Sequence, residues 1–375
     1  SSAGRSVASS RGAMEPGFPH RVTIVGLGLM GGSLALAIRH SLPEVEVIGV
    51  DYPSALAAAE ARRAIDRSFT PRELPQAVAE SDLVFLATPI RTILALIEGA
   101  APHMRKGAIL TDLGSTKTEI CNAARERVPE GVHFIGGHPL TGAEGKGIAG
   151  ADPFLFQNAL YVLTPLEGTE GALPLLQEFL RRLGAIVVEL SPEEHDRIAA
   201  YVSHLPQLLA VALVNLVGRE EGYLRFAAGG FRDLTRIASS PYGIWEDILA
   251  TNAPRIKEAL AAFLGELSRL GERIEAGPRE EFERARALRA SLPRAAKGFL
   301  RELPRIRVIL PDRPGALAEV TGALAKGGIN IKDLELLRVR EEIGGTFQIH
   351  LGSVEEAEEA ATILRGIGYE ARVVD

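Results

Sequence analysis

Val22-Thr23-Ile24-Val25-Gly26-Leu27-Gly28-Leu29-Met30-Gly31-Gly32-Ser33 joins an apolar run to a G-x-G-x-x-G turn and then to a helix-like run ending near Arg39. A dinucleotide site asks for that order. Gly26 permits a tight strand-to-helix turn, Gly28 lets the backbone approach a pyrophosphate, and Gly31 lets the helix pack close to the strand. The helix N-terminus then offers free N–H groups and a partial positive charge to phosphates. Glycine-rich turns are common, so the surroundings matter. A second apolar run, Val45 to Val50, ends in Asp51, twenty residues beyond Gly31. A carboxylate there accepts hydrogen bonds from ribose hydroxyls. Asp51 would repel a 2′-phosphate and no arginine follows it directly, so NAD is expected rather than NADP.

At 375 residues the chain exceeds one ordinary core and is expected to form two or three domains. A hydrophobic content of 46% with 24% charged residues describes a soluble globular protein. The net charge of −6 gives no reason to expect nucleic acid or an anionic membrane as partner. No apolar run approaches the ~20 residues of a bilayer span. The single Cys121 excludes an intramolecular disulfide and a cysteine-rich metal site, fits a reducing cytoplasm, and reads as core filler; no metal is expected. Residues 1–19 are Ser-, Gly-, Ala- and Arg-rich with no apolar h-region, and read as a disordered tail rather than a secretory signal.

Strands and helices then alternate. Ser81 to Pro89 is a buried strand ending in a proline turn, Ile90 to Ala101 has helical spacing, and Gly107 to Asp112 is a short strand. Phe134 to Pro139 ends in His138 on a glycine-proline turn, and further strands are expected at Ala159 to Leu163 and Ala185 to Leu190. The pattern predicts a mostly parallel sheet covered by helices over residues 20–191, with ligands beyond the carboxyl ends of its strands. The polar residues Thr88, Asp112, Ser115, Thr116 and Lys117 fall there.

From Pro192 the period becomes helical, with Ser191 as N-cap and Glu193-Glu194 in the first turn. Residues 192–300 are expected to form an all-helical domain, apolar on so much of its circumference that a homodimer is predicted. Residues 303–375 follow a β-α-β-β-α-β order, the ferredoxin-like arrangement, with a second strand starting at Ile329-Asn330-Ile331.

From about residue 20 to the end, the chain resembles prephenate dehydrogenases of the bacterial type that carry a C-terminal ACT domain. The resemblance rests on the glycine turn above, Asp112-Leu113-Gly114-Ser115-Thr116-Lys117, Gly137-His138-Pro139 with Glu144, and Ser203-His204-Leu205-Pro206. It rests also on Gly230 to Ala238 followed by Trp245, and on Asp312-Arg313-Pro314-Gly315 through Gly328 to Ile331. The implied reaction is NAD-dependent oxidative decarboxylation of prephenate to 4-hydroxyphenylpyruvate in tyrosine biosynthesis, in the cytoplasm, with feedback by tyrosine at the ACT domain.

The resemblance puts His138 at the substrate hydroxyl as acceptor; the alternative is a turn histidine bonded to backbone. Ser115 is placed to hydrogen-bond His138 or the substrate, or to cap the helix after Thr116. Arg236 grips a carboxylate, or pairs with Asp233. Ser203 and His204 bind substrate or pack inside the helical domain. Glu144 gates the pocket or steadies its glycine loop, and Trp245 lines the pocket from the partner subunit or fills the dimer core. Family members often carry a histidine where this chain has Gln207, which leaves arogenate open as the substrate. Gly26, Gly28, Met30, Gly31, Asp51, Thr88 and Pro89 are assigned to NAD, and Asp312, Arg313, Gly315 and Asn330 to the regulatory amino acid. Two other classes compete with this reading. A β-hydroxyacid dehydrogenase relative would place a lysine in the helical domain, but none occurs between Pro192 and Lys257. A non-catalytic amino-acid sensor would have no need of Ser115, His138 and Arg236.

Overall fold

The computed structural model describes residues 18–142, 145, 147–292, 303–340 and 344–374. Its first compact unit extends to Ala285 and its second starts at Arg286. In the first unit the strands are β1 (Arg21–Val25), β2 (Glu46–Val50), β3 (Arg67–Phe69), β4 (Leu83–Leu86), β5 (Ile109–Asp112), β6 (His133–Pro139), β7 (Leu160–Pro165) and β8 (Ile186–Glu189). They form one sheet in the order β3-β2-β1-β4-β5-β6-β7-β8. β1 to β6 are parallel; β7 joins β6 antiparallel, and β8 runs parallel to β7. The short edge strand β3 has no counterpart among the sequence expectations. Its Arg67-Ser68-Phe69 is polar and mostly exposed, so hydrophobic period could not mark it.

Helices α1 (Leu29–Ser41), α2 (Pro53–Ala61), α3 (Leu74–Ala79), α4 (Ile90–Ala100), α5 (Thr118–Arg127) and α6 (Leu173–Arg182) belong to the sheet region. Side chains alternate between two cores. Leu83 and Phe85 of β4 join Val22 and Ile24 of β1 in one, while Val84 and Leu86 join Val25 in the other. Burial on both faces explains the near-continuous apolar runs. Phe18, expected in the tail, is instead buried: it stacks on Phe179 at 5.8 Å and lies beneath the Arg182 guanidinium. Residues 1–17 of that expected tail lie outside the described residues. Cys121 is buried in α5, and burial pushes its thiol up to about 11, which makes it an inert core group.

The helical part comprises α7 (Pro192–Ala199), a π turn (Ala200–His204), α8 (Leu205–Gly218), α9 (Gly229–Thr235), α10 (Tyr242–Thr251), α11 (Ala253–Glu272) and α12 (Arg279–Ser291). Ser191 caps α7 as expected, its hydroxyl accepting from the Glu194 N–H at 3.1 Å. The continuous helix Pro192–Gly218 is, by length and composition, apolar enough to cross a membrane, contrary to the reading of apolar runs. Its polar side chains His195, Asp196, His204 and Gln207 are nevertheless buried, and Asp196 bonds to α5. Large apolar groups elsewhere stay uncovered, among them Val202, Leu216, Phe226 and Leu234.

The second unit carries β9 (Arg305–Leu310), α13 (Ala316–Lys326), β10 (Asp333–Arg340), β11 (Gly344–His350), α14 (Val354–Gly366) and β12 (Glu370–Val374). Its antiparallel sheet has the order β10-β11-β9-β12, as the ferredoxin-like pattern requires. Ile306, Val308 and Leu310 alternate inward from β9 onto Val320, Leu324 and Leu364 of its helices.

Candidate active site

The glycine turn is built by close contact. Gly26 has φ +96°, and a Cβ there would lie 2.6 Å from the Ala87 carbonyl oxygen. A Cβ on Gly31 would lie 1.8 Å from the Gly26 carbonyl oxygen, so only glycine lets α1 approach β1. Around Gly28 the space is open, and α1 starts with no side-chain cap. The Asp51 carboxylate accepts from the Leu27 and Tyr52 N–H groups, both at 2.6 Å, which fixes it at the end of β2 beside the turn. Thr88 Oγ1, past the end of β4, is buried with no hydrogen-bond partner among the described residues. An open glycine, an uncapped helix start, a positioned carboxylate and an orphaned hydroxyl on one edge of the sheet fit a dinucleotide. Met30 packs on the core from the first turn of α1, and Pro89 is the N-cap of α4.

His138 ends β6 on that same edge. The strand reaches it through Gly136 and Gly137, where side chains would collide with Thr164 Oγ1 and the Asp112 carbonyl oxygen. Asp112 and Lys117, both fully buried, form an ion pair that ties the β5 and β6 ends together. Lys117 Nζ also donates to the Gly137 carbonyl at 2.7 Å, and Asp112 accepts from the Gly137 N–H at 3.1 Å and the Gly114 N–H at 2.8 Å. With every member bonded, this buried pair fixes geometry at the strand ends.

Behind His138 stands a chain that the sequence reading missed. His138 Nδ1 lies 2.8 Å from His195 Nε2, and His195 Nδ1 lies 2.8 Å from Asp196 Oδ1. Asp196 also accepts from the Lys117 N–H at 2.7 Å and the Thr118 N–H at 2.8 Å, so it caps α5 from α7. Burial opposes its charge, but the bonds from His195, Thr118 and Lys117 prevail and hold its carboxyl below the ordinary value. Burial pushes His138 well below its ordinary value, and the adjacent His195, Lys117 and His204 push the same way. His138 is therefore a neutral imidazole. The only sequence signal was Glu193-Glu194-His195-Asp196, which read as an ordinary first helical turn.

His204 sits on the π turn, a local widening often found at functional sites. It is buried, its Nδ1 faces the Asn252 amide nitrogen at 3.3 Å, and burial lowers it to about 4. Its ring meets Trp245 edge-on at 6.0 Å. Trp245 thus lies beside His204 of its own chain, and its buried Nε1–H has no hydrogen-bond partner among the described residues. Gln207 is buried one turn on, whereas Ser203 is exposed.

Several expectations require correction. Ser115 caps no helix: α5 starts at Thr118, because Asp196 supplies the cap, and no hydrogen bond joins Ser115 to His138. Arg236 is exposed at the start of a 3-10 turn and makes no ion pair with Asp233. Nor does it bond to the histidine chain. Glu144 lies outside the described residues. In the second unit, Asn330 is exposed and precedes β10 by three residues, since Gly327 and Gly328 end α13 and the chain stays irregular through Lys332. Arg313 forks onto Glu319 at 2.9 and 2.7 Å, and Glu319 also accepts from the Tyr369 hydroxyl at 2.5 Å. These bonds hold the Glu319 carboxyl at about 2 and engage the guanidinium expected to meet a ligand. Gly315, at φ +88°, is the N-cap of α13, and Asp312 stands three residues before it.

Comparison with known proteins agrees with this architecture. Residues 34–189 match the model of the prephenate dehydrogenase nucleotide-binding domain, 191–288 that of the prephenate dehydrogenase dimerization domain, and 305–368 that of the ACT domain. A prephenate dehydrogenase of Bacillus subtilis is 35% identical over 351 residues, covering 90% of this chain and 94% of the relative. The crystal structure of prephenate dehydrogenase from A. aeolicus with hydroxyphenyl propionate and NAD+ superposes with a TM-score of 0.68 at 30% identity, covering 73% of this chain and 98% of that one. Synechocystis arogenate dehydrogenase superposes with a TM-score of 0.62 at 32% identity, covering 72% and 97%. With the dinucleotide cradle, the neutral histidine and all three domain types present, the chain belongs to the prephenate dehydrogenase family of NAD-dependent oxidoreductases.

Proposed function

We propose that this chain oxidises prephenate with NAD, releasing carbon dioxide and 4-hydroxyphenylpyruvate, and that it does so as a homodimer regulated by tyrosine. The observation that carries the chemistry is a neutral His138 at the carboxyl end of β6, on the sheet edge that bears the open glycine turn. Gly26, Gly28, Gly31, Asp51 and Thr88 hold the dinucleotide, which when bound accepts the hydride from C4 of the substrate. His138 Nε2 accepts the C4 hydroxyl proton, so a carbonyl forms at C4. Loss of the ring carboxylate as carbon dioxide returns electrons to that oxygen, and His138 gives the proton back to the new phenol. Arg236, exposed and without an ion pair among the described residues, is the grip for a substrate carboxylate. Trp245 Nε1–H and Gln207 offer uncharged donors beside the neutral His204, and Ser115 hydrogen-bonds the substrate hydroxyl.

Residues 20–191 carry the dinucleotide, 192–300 dimerise and close the substrate pocket, and 303–375 regulate. The uncovered apolar side chains of α8 to α10 and their connections are the surface that a second copy buries. The regulatory reading draws support from the backbone N–H groups after Gly315 and from the match to an amino-acid-binding type of domain. Arogenate is a second reading, favoured by the uncharged Gln207. Measuring kcat/KM for prephenate and arogenate with NAD and with NADP tests the proposal. Prephenate with NAD is expected to be the best pair; a higher value with arogenate would move the chain to the second reading.

A further inference from the structure

We propose that His195, held by Asp196, is a relay behind His138: as the substrate hydroxyl proton moves to His138 Nε2, the proton on His138 Nδ1 moves to His195 Nε2. The inference rests on the oxidative reading above and deepens it. Hydrogen-bond partners set the resting state. The Asp196 carboxylate can only accept, so His195 Nδ1 carries the proton between them at 2.8 Å. With that proton on Nδ1, His195 presents its Nε2 lone pair to His138, so His138 Nδ1, 2.8 Å away, is the donor in the proposed relay. The His138 lone pair is left on Nε2, which has no hydrogen-bond partner among the described residues.

Stopping the proton on His138 would place a cation in a buried site near the Lys117 ammonium, whose Nζ bonds to the adjacent Gly137 carbonyl. Passing it on changes the account. The substrate O–H bond breaks and an Nε2–H bond forms on His138; the His138 Nδ1–H bond breaks and an Nε2–H bond forms on His195. His138 ends neutral. His195 ends as the cation, in contact with the one buried carboxylate among its described neighbours that is not already paired to a lysine. The electron pair left on oxygen becomes the C4 carbonyl as the hydride departs to NAD. When carbon dioxide leaves, the oxygen regains electrons and both protons run back. Asp196 is rigid in this role because the Lys117 and Thr118 N–H groups hold its two oxygens and Asn252 Nδ2 donates to its backbone carbonyl at 2.8 Å. His195 touches His138, not the substrate, so it is a positioning and relay residue.

His195→Gln separates relay from support, because an amide oxygen can accept the His138 Nδ1–H bond but cannot take the proton. In the full-length protein we expect kcat to fall about 10²-fold, with KM for NAD and prephenate within about twofold and the melting temperature unchanged. A kcat within threefold of the parent would overturn the relay. If the variant does not fold, nitrogen NMR of the unaltered protein still decides: His138 is expected as the Nδ1–H tautomer, and the Nε2–H tautomer would overturn the proposal. An unaltered protein that reduces no NAD with prephenate would defeat the functional reading itself, a result distinct from either of these.

Discussion

Burial beside Lys117, His195 and His204 disfavours the protonated form of His138 and leaves an imidazole able to accept a proton at neutral pH. Replacing His138 with Asn should therefore lower kcat about 10²- to 10⁴-fold while the dissociation constant for NAD, measured by fluorescence titration, stays the same. Near-normal turnover would make His138 a structural residue. Arg236 has a different signature. It is exposed and makes no ion pair with Asp233, so Arg236→Ala should cost little stability. It should raise KM for prephenate about tenfold or more, as loss of a charge-assisted bond of about 1.5–3 kcal/mol implies. An unchanged KM would remove Arg236 from the site. His138 was legible because it ends a predicted strand on the ligand edge of a parallel sheet. His195 and Asp196 were not, because an acidic first turn is also what an exposed helix start looks like. Only the packing of α7 against α5 turns those two side chains inward.

At the scale of elements, the β1-turn-α1 unit depends on backbone contact that a side chain would destroy. Gly31→Ala puts a Cβ 1.8 Å from the Gly26 carbonyl oxygen, so α1 must shift away from the turn. The variant should melt at lower temperature and bind NAD more weakly, which a paired thermal melt and NAD titration would check. Normal values for both would mean that the turn is looser than these contacts require. Strong patterns marked most elements: β1, β2, β4 and β5 by apolar runs, α7 by its Ser191-Pro192 start, and the βαββαβ tail by its alternation. The misses have local causes. β3 is three residues long and mostly exposed, and β10 starts at Asp333 instead of Ile329 because the two glycines after α13 lead into irregular chain. Asn330 consequently does not stand on a strand, and Arg313, assigned to the regulatory ligand, forks onto Glu319.

For the whole molecule, the chain divides into two compact units, one ending at Ala285 and the other starting at Arg286. The residues proposed to bind NAD and oxidise the substrate all precede Arg286. Deleting residues 303–375 is therefore expected to leave an active dehydrogenase that tyrosine no longer inhibits. Inhibition requires that tyrosine bind one conformation better than another, and the truncated protein would lack the binding unit. Unchanged inhibition of a folded, active truncation would place tyrosine at the catalytic site. The most direct test of the central claim is the stoichiometry of one reaction: full-length protein, prephenate and NAD, with NADH followed by absorbance and 4-hydroxyphenylpyruvate by chromatography. The account predicts that both accumulate together, one to one. NADH formed without 4-hydroxyphenylpyruvate, or no NADH from prephenate at all, would contradict it.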